Sequence, residues 1–311
     1  MIEAADAVAW TFERYERVRD RLPAAAFPRT TIAADGLLDL TDRFDAFLLD
    51  SFGVLNVGET AIPGAVDCIA QLNRAGKHVI VLTNAASGVV DSLPAKYRAL
   101  GFEFPRDRIV SSRELLERHL ARAPRDMRWA VMAPPASRIE TLGVPAVRID
   151  LENPDWKDAD GFVLLSTGGW TPAITAELRS VQADRKRPVL VGNPDLAAPR
   201  EAGLSLEPGA IAHDLIDKMP DLACSFFGKP FANAFVAACE RLPAAVPRNR
   251  IAMVGDTLHT DILGGAAAGL STVLVTDWGV LAGRDSAEAI ARSGIVPTYT
   301  MASIAGATLG N

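Results

Sequence analysis

"FDAFLLDSFGVLN", residues 44–56, carries the fold class of this chain. An apolar run of strand length, Ala46 to Leu49, delivers one carboxylate, Asp50, into a turn that contains Gly53. A run with no polar alternation suits a strand covered on both faces. Similar runs recur at 77–83 (KHVIVLT), 108–112, 128–133 (RWAVMA), 161–166 (GFVLLS), 187–192 (RPVLVG), 250–255 and 271–276 (STVLVT). Between the first two, PGAVDCIAQLNRAG (63–76) reads as a helix, with Pro63 in its first turn and Gly76 at its C-terminal cap. Buried strands alternating with helices mean crossover units and a parallel sheet, so the class is α/β.

These strands exceed what one compact sheet needs. Residues 126–221, rich in Pro and Asp, are expected to form a separate inserted α/β unit, splitting a core of 37–125 and 222–311. Residues 1–36 form an N-terminal extension. In it Val8, Phe12, Tyr15, Val18 and Leu22 recur at helical spacing, which predicts an amphipathic helix packed on the body, or else on a second subunit.

The 311 residues are 49% hydrophobic and 23% charged, ordinary for a soluble globular protein. A net charge of −6 argues against a nucleic-acid binder with a general basic surface. Cys68, Cys224 and Cys239 stand far apart with no CxxC, which fits a reducing cytoplasm and no disulfide framework. Charges run through the N-terminus and no stretch stays apolar long enough to span a bilayer, so no membrane association is expected.

In open parallel sheets, ligands bind beyond the carboxyl ends of the strands. Asp50 ends one strand; Thr83 and Asn84 end the next. Asp256 ends a late strand in IAMVGDTLHTD (251–261), with Asp261 one helical turn onward, and Lys229 stands in FFGKPFANAF (226–235). Carboxylates converging from different strands repel unless a cation lies between them, and oxygen ligands favour Mg2+. A lysine, a threonine hydroxyl and backbone N–H groups around that ion make an anion pocket suited to phosphate. An Asp beside it can attack phosphorus, giving an aspartyl-phosphate that water later hydrolyses.

The order Asp50, Thr83-Asn84, Lys229, Asp256…Asp261 resembles the haloacid dehalogenase (HAD) superfamily. GKP (228–230), GDTLHTDILGGAAAGLSTVLV (255–275), NPD (193–195) and the long stretch between Asn84 and Lys229 are similar to its class IIA, the nitrophenyl-phosphatase and pyridoxal-phosphate-phosphatase-like proteins. The likeness spans about residues 37 to 280. It implies a Rossmann-like core with an inserted α/β cap of C2 type, Mg2+ as cofactor and a small phosphorylated metabolite as substrate. Asp50 would be nucleophile and metal ligand, with Asp256 and the backbone carbonyl of Phe52 completing the protein's metal contacts. Thr83, Asn84, Lys229 and Gly53 would meet the phosphoryl group, and Asp261 would support Lys229 or a metal-bound water. Similar proteins form cap-mediated dimers, so a homodimer is among the expectations.

One position departs from the family's phosphatases. Two residues after the nucleophile they carry a second Asp, which protonates the leaving oxygen and later activates water; here Phe52 does neither. Slow turnover, restricted to easily expelled leaving groups, is the expectation. A non-catalytic phosphometabolite-binding protein is the alternative, as is carbon–phosphorus or carbon–halogen cleavage on the same scaffold, with Lys157, Lys186 and Lys218 the imine-forming candidates. His259 is a candidate stand-in for the proton transfer, against the simpler reading of an exposed or helix-capping His. His213 is expected to pack or face solvent. STGGW (166–170) and NPD (193–195) fall at strand ends as candidate substrate contacts. Asn193 and Asp195 are equally Asx-turn residues, the turn being the preferred reading for Asp195, and Trp278 reads as packing or the site's mouth.

Overall fold

Ala46 to Leu49 have no solvent face, because their strand lies in the middle of a sheet covered on both sides. Phe47 and Leu49 enter one apolar layer with Leu37, Val79 and Val81. Ala46 and Leu48 enter the opposite layer with Ile80, Leu82 and Val110. The strand's two-residue period assigns alternate side chains to the two layers. The computed structural model describes residues 4–200 and 203–306. The expected N-terminal segment, insert and second core half therefore include residues (1–3, 201–202 and 307–311) that lie outside the described ones.

The larger sheet has seven parallel strands, in the order Ile32–Ala33, Tyr299–Met301, Ser271–Val275, Ile251–Gly255, Ala46–Leu49, His78–Thr83, Ile109–Ser111. The chain moves outward in one direction from Ala46–Leu49 and later in the other from Ile251–Gly255, so the topological switch point lies between these two strands.

A second parallel sheet is inserted in the chain between Ile109–Ser111 and Ile251–Gly255. Its order is Cys224–Phe226, Val189–Val191, Gly161–Leu164, Trp129–Met132, Ala146–Arg148. One face (Val131, Val163, Leu190) joins the layer that holds Leu48 and Leu116. The other (Met132, Phe162, Val191) packs on Leu178 and Leu215 of helices Pro172–Asp184 and Pro208–Lys218. The fold is α/β, with a seven-stranded core sheet and a separate five-stranded inserted sheet. All eight strand runs legible in the sequence are strands. The additional strands of these two sheets, Ile32–Ala33, Ala146–Arg148, Cys224–Phe226 and Tyr299–Met301, have only two or three residues each, too few to carry a pattern.

The N-terminal helix, Ala4–Arg17, packs on the body of its own chain. Tyr15 and Val18 are buried against Leu196 and Ala210 of the inserted segment. Among the described residues no helix is long and apolar enough to cross a membrane.

Candidate active site

Strand register brings the expected side chains together. Leu49 stands opposite both Val254 and Val81, so Asp50, Asp256 and Thr83 emerge from three adjacent strand ends at the switch point. The Asp50 N–H continues the ladder to the Val254 carbonyl at 2.9 Å. Asp50 Oδ1 accepts from the Ser51 N–H at 2.7 Å and from Lys229 Nζ at 2.7 Å, which fixes the carboxylate's direction.

Lys229 reaches this point because Gly228 precedes it. Gly228 has φ +129°, and a Cβ there would lie 2.2 Å from Ser112 Oγ and 2.5 Å from Asn84 Oδ1. Asn84 then holds the lysine's backbone from both sides: its Oδ1 accepts the Lys229 N–H at 2.8 Å, and its Nδ2 donates to the Lys229 carbonyl at 2.9 Å. The second Nδ2 proton goes to Asp195 Oδ1 at 2.7 Å. The Asn84 side chain is thus a brace between the core and the inserted segment.

Asp261 is folded back by a wide turn. The Ile262 N–H reaches the Thr257 carbonyl five residues earlier at 3.3 Å, an opening of the ordinary helical step that recurs at functional sites. Asp261 Oδ1 accepts Lys229 Nζ at 2.7 Å, and its Oδ2 accepts the Thr257 N–H at 3.1 Å. Lys229, only 2% exposed, therefore bridges Asp50 and Asp261. Burial alone would lower the ammonium's pKa, but the carboxylates of Asp261 and Asp50 raise it, so it stays charged.

Asp256 accepts the Val280 N–H at 2.8 Å and the Thr257 hydroxyl at 3.1 Å. Its back lies against Gly53, which has φ +74° and where a Cβ would sit 2.7 Å from the Asp256 carboxyl carbon. Oxygen atoms of Asp50, Asp256 and Asp261 all fall within 4.8 Å of one another. Burial raises the Asp256 pKa, and the charges of Asp50 and Asp261 raise it further. Burial likewise pushes Asp261 up to about 6 against the opposing pull of Lys229. One lysine does not balance three clustered carboxylates, and an all-oxygen donor set is what a hard divalent cation takes.

Asp50, Phe52, Thr83, Asn84, Asn193, Lys229 and Asp256 line one cavity of about 150 Å³. Gly53 and Asp261 sit behind it, against Asp256 and Lys229. Three further residues, Tyr15, Lys96 and Tyr97, escape sequence reasoning as parts of the site, and Asp195 is reassigned to it. Tyr15, Lys96 and Asp195 line the cavity, with the Lys96 ammonium 5.8 Å from the centre of the Phe52 ring. Tyr97 is buried behind the cavity, beside Ser51 and Thr83.

The turn reading of NPD is corrected in its assignment. Asn193 makes the turn, its Oδ1 accepting the Asp195 N–H at 3.0 Å and its Nδ2 donating to Glu207 at 3.1 Å. Asp195 instead turns its carboxylate to Asn84 and the cavity, and burial pushes that carboxyl up to about 7. His259 is neither exposed nor a lining residue of the Asp50 cavity. It is buried, its Nε2 lies 2.5 Å from Glu16, and its ring stacks on Tyr15 at 4.9 Å. His213 packs, stacked on Phe226, and Trp278 packs against the core layer. Lys157 and Lys186 are paired with Glu177 and Asp221, and neither they nor Lys218 line the cavity.

Fold and site define a capped α/β protein whose oxygen-rich centre, braced by one lysine, lies at the switch point of its sheet. Residues 47–144 match the family described as haloacid dehalogenase-like hydrolase, and residues 226–307 the one described as HAD-hydrolase-like. Glycerol-3-phosphate phosphatase of Gallus gallus is 30% identical over 296 residues, covering 84% of this chain and 90% of that protein. A possible sugar phosphatase of the HAD superfamily from Cytophaga hutchinsonii superposes with a TM-score of 0.76 at 25% identity, covering 88% of this chain and 99% of the other. The glycerol phosphate phosphatase of Mycobacterium tuberculosis, solved in complex with magnesium, shares the fold with a TM-score of 0.65 at 24% identity, over 84% of this chain and 75% of that one. The chain belongs to the haloacid dehalogenase-like hydrolases. Within them it falls in class IIA, the group of the nitrophenyl and glycerol-3-phosphate phosphatases.

Proposed function

We propose that this protein is a Mg2+-dependent phosphatase of a small phosphate monoester, with Asp50 as nucleophile and its rate held down by the ring at position 52. The observation that carries the reading is the arrangement around Lys229: one buried ammonium between Asp50 and Asp261, with Asp256 in the same cluster. Asp50, Asp256 and the Phe52 carbonyl would hold the ion. When bound, Mg2+ supplies positive charge to the phosphoryl oxygens and relieves the repulsion among the carboxylates.

In this reading the Thr83 hydroxyl, the Lys229 ammonium and the backbone N–H of Asn84 receive the phosphoryl oxygens, whereas the Gly53 N–H, expected to join them, is taken by the Asn56 carbonyl at 2.9 Å. An Asp50 oxygen forms a bond to phosphorus as the bond from phosphorus to the ester oxygen breaks, and the leaving group departs as an oxyanion. Water then adds to phosphorus, the Asp50–phosphorus bond breaks, and phosphate leaves with the carboxylate restored. Two proton transfers accompany these steps, and Phe52 serves neither. General acid–base help is worth about 10²–10⁴-fold, so acyl phosphates should turn over ahead of alkyl phosphates. Asp195, a cavity carboxyl that holds its proton near neutrality, replaces His259 as the group to test for partial compensation.

The cavity of about 150 Å³ is small beside the few hundred Å³ of drug-sized sites, which suits a compact substrate such as a glycerol or sugar phosphate, the substrates named for the relatives above. The test is phosphate release from a panel of acyl, glycerol and sugar phosphates in Mg2+ and in chelator. No Mg2+-dependent release from any of them contradicts catalysis. Phe52 itself favours a second reading, a binding protein that retains the phosphoryl pocket without turnover. Phe52→Asp separates the two: a gain of about 10²–10⁴-fold marks an otherwise competent enzyme, and no gain marks the binder.

A further inference from the structure

The N-terminal segment lies outside both matched regions, 47–144 and 226–307, yet it supplies a wall of the cavity. Tyr15, 3% exposed, lines the cavity together with Asn193, Asp195 and Glu207 of the inserted segment. Its ring stacks on His259 with only 6° between the planes, and Phe12 meets the same imidazole edge-on at 5.3 Å. Its hydroxyl accepts the Leu196 N–H at 3.2 Å, which leaves the phenolic proton to donate.

The helix is tied to both parts of the molecule. On the core side Glu16 meets His259, Glu13 pairs with Arg292, and the Arg292 guanidinium lies 4.6 Å over the Phe12 ring. On the inserted side Asp217 receives Arg14 at 3.0 Å and Arg21 at 2.6 Å, and Arg21 also donates to the His213 carbonyl at 3.3 Å. Held from two directions, the Tyr15 ring is a fixed surface and not a swinging side chain.

Thr83, Lys229 and Asp50 occupy the sheet edge, where the phosphoryl group belongs. The space between them and the inserted segment is left for the rest of the ester, and Tyr15 bounds that space. We infer that Tyr15 is a specificity-determining residue: its ring limits the size of the leaving group, and its hydroxyl favours one that carries hydroxyls. The inference rests on the phosphoryl-binding reading above.

The test is the affinity of non-hydrolysable phosphonates in Mg2+, measured by calorimetry: methylphosphonate, benzylphosphonate and 3,4-dihydroxybutylphosphonate. Tyr15→Ala should improve benzylphosphonate relative to methylphosphonate by at least about tenfold, the scale of one well-filled apolar contact. Tyr15→Phe keeps the ring, so it should leave that ratio within about twofold and weaken the dihydroxybutyl compound relative to methylphosphonate by about fivefold, the loss of one neutral hydrogen bond. Methylphosphonate binding with both ratios unmoved overturns the role of Tyr15 and spares the phosphoryl site. Failure of the wild type to bind methylphosphonate in Mg2+ overturns both. Should Tyr15→Ala fail to fold, the hydroxyl ratio in Tyr15→Phe decides alone.

Discussion

Lys229→Met keeps the length of the side chain and removes its charge from between two carboxylates. Lys229 Nζ stands 2.7 Å from both Asp50 and Asp261, at 2% exposure, so water does not replace it. With it gone, three carboxylates whose oxygens lie within 4.8 Å face one another. At an effective dielectric of about 20, each such pair repels by about 3 kcal/mol. Removing one partner of a buried ion pair costs about 3–5 kcal/mol by itself, which at roughly 2 °C per kcal/mol in a chain of this size lowers Tm by about 8 °C in chelator at pH 8. The folded-state pKa of Lys229 is raised, so its contribution is fully present below the ordinary lysine pKa and fades only as pH climbs through the raised value. The deficit of the variant should nonetheless shrink below about pH 6, where Asp261 takes up a proton even in the wild type and the repulsion left by the missing ammonium falls. Added Mg2+ should recover more Tm in the variant than in the wild type. Scanning calorimetry at pH 8 and pH 5, with chelator and with Mg2+, checks each step. A variant that melts within about 2 °C of the wild type at pH 8, or with the same deficit at pH 5, refutes the electrostatic account of the cluster.

Asp195→Asn keeps an acceptor for Asn84 and removes a carboxyl whose pKa burial raises from the ordinary 3.8 to about 7. A raised acid favours the fold at low pH and loses that advantage as pH climbs from about 4 to about 7, so the variant should match the wild type near pH 4 and exceed it at pH 8, by at most about 4 kcal/mol. Parallel denaturation curves at the two pH values would contradict this. Gly53→Ala forces φ +74° on a residue with a Cβ and drives that Cβ to 2.7 Å from the Asp256 carboxyl carbon. It should cost about 1–3 kcal/mol of stability and weaken Mg2+ binding, read by titration calorimetry, and unchanged Mg2+ affinity would show that the turn does not position Asp256.

The strands and most of the site were legible because both rest on short-range signals. Apolar runs such as Ala46–Leu49 announce buried strands, and a carboxylate straight after such a run falls at the strand's carboxyl edge whatever the rest of the chain does. Asp50, Thr83 and Asp256 meet for that reason, and Lys229 joins them through the close approach that Gly228 allows. The residues missed are placed by contacts far apart in sequence. Tyr15 bonds to Leu196, Glu16 to His259 and Asp195 to Asn84, and no local pattern in the N-terminal helix or in NPD announces those partners. Asp195 was misread because Asx turns and site carboxylates share the same letters: the neighbouring Asn193 took the turn and released the acid. His259 illustrates the converse, since a histidine in the loop after Asp256 looks poised for proton transfer until the helix that buries it is in view.

The most direct measurement is joint uptake of Mg2+ and beryllofluoride, a mimic of the phosphorylated aspartate, followed by fluorine NMR on the wild type and on Asp50→Ala. A bound fluoride signal that requires Mg2+ and vanishes with Asp50→Ala is the expected result. Absence of that signal in the wild type, or its survival in chelator or in Asp50→Ala, would contradict a phosphoryl-accepting carboxylate at position 50.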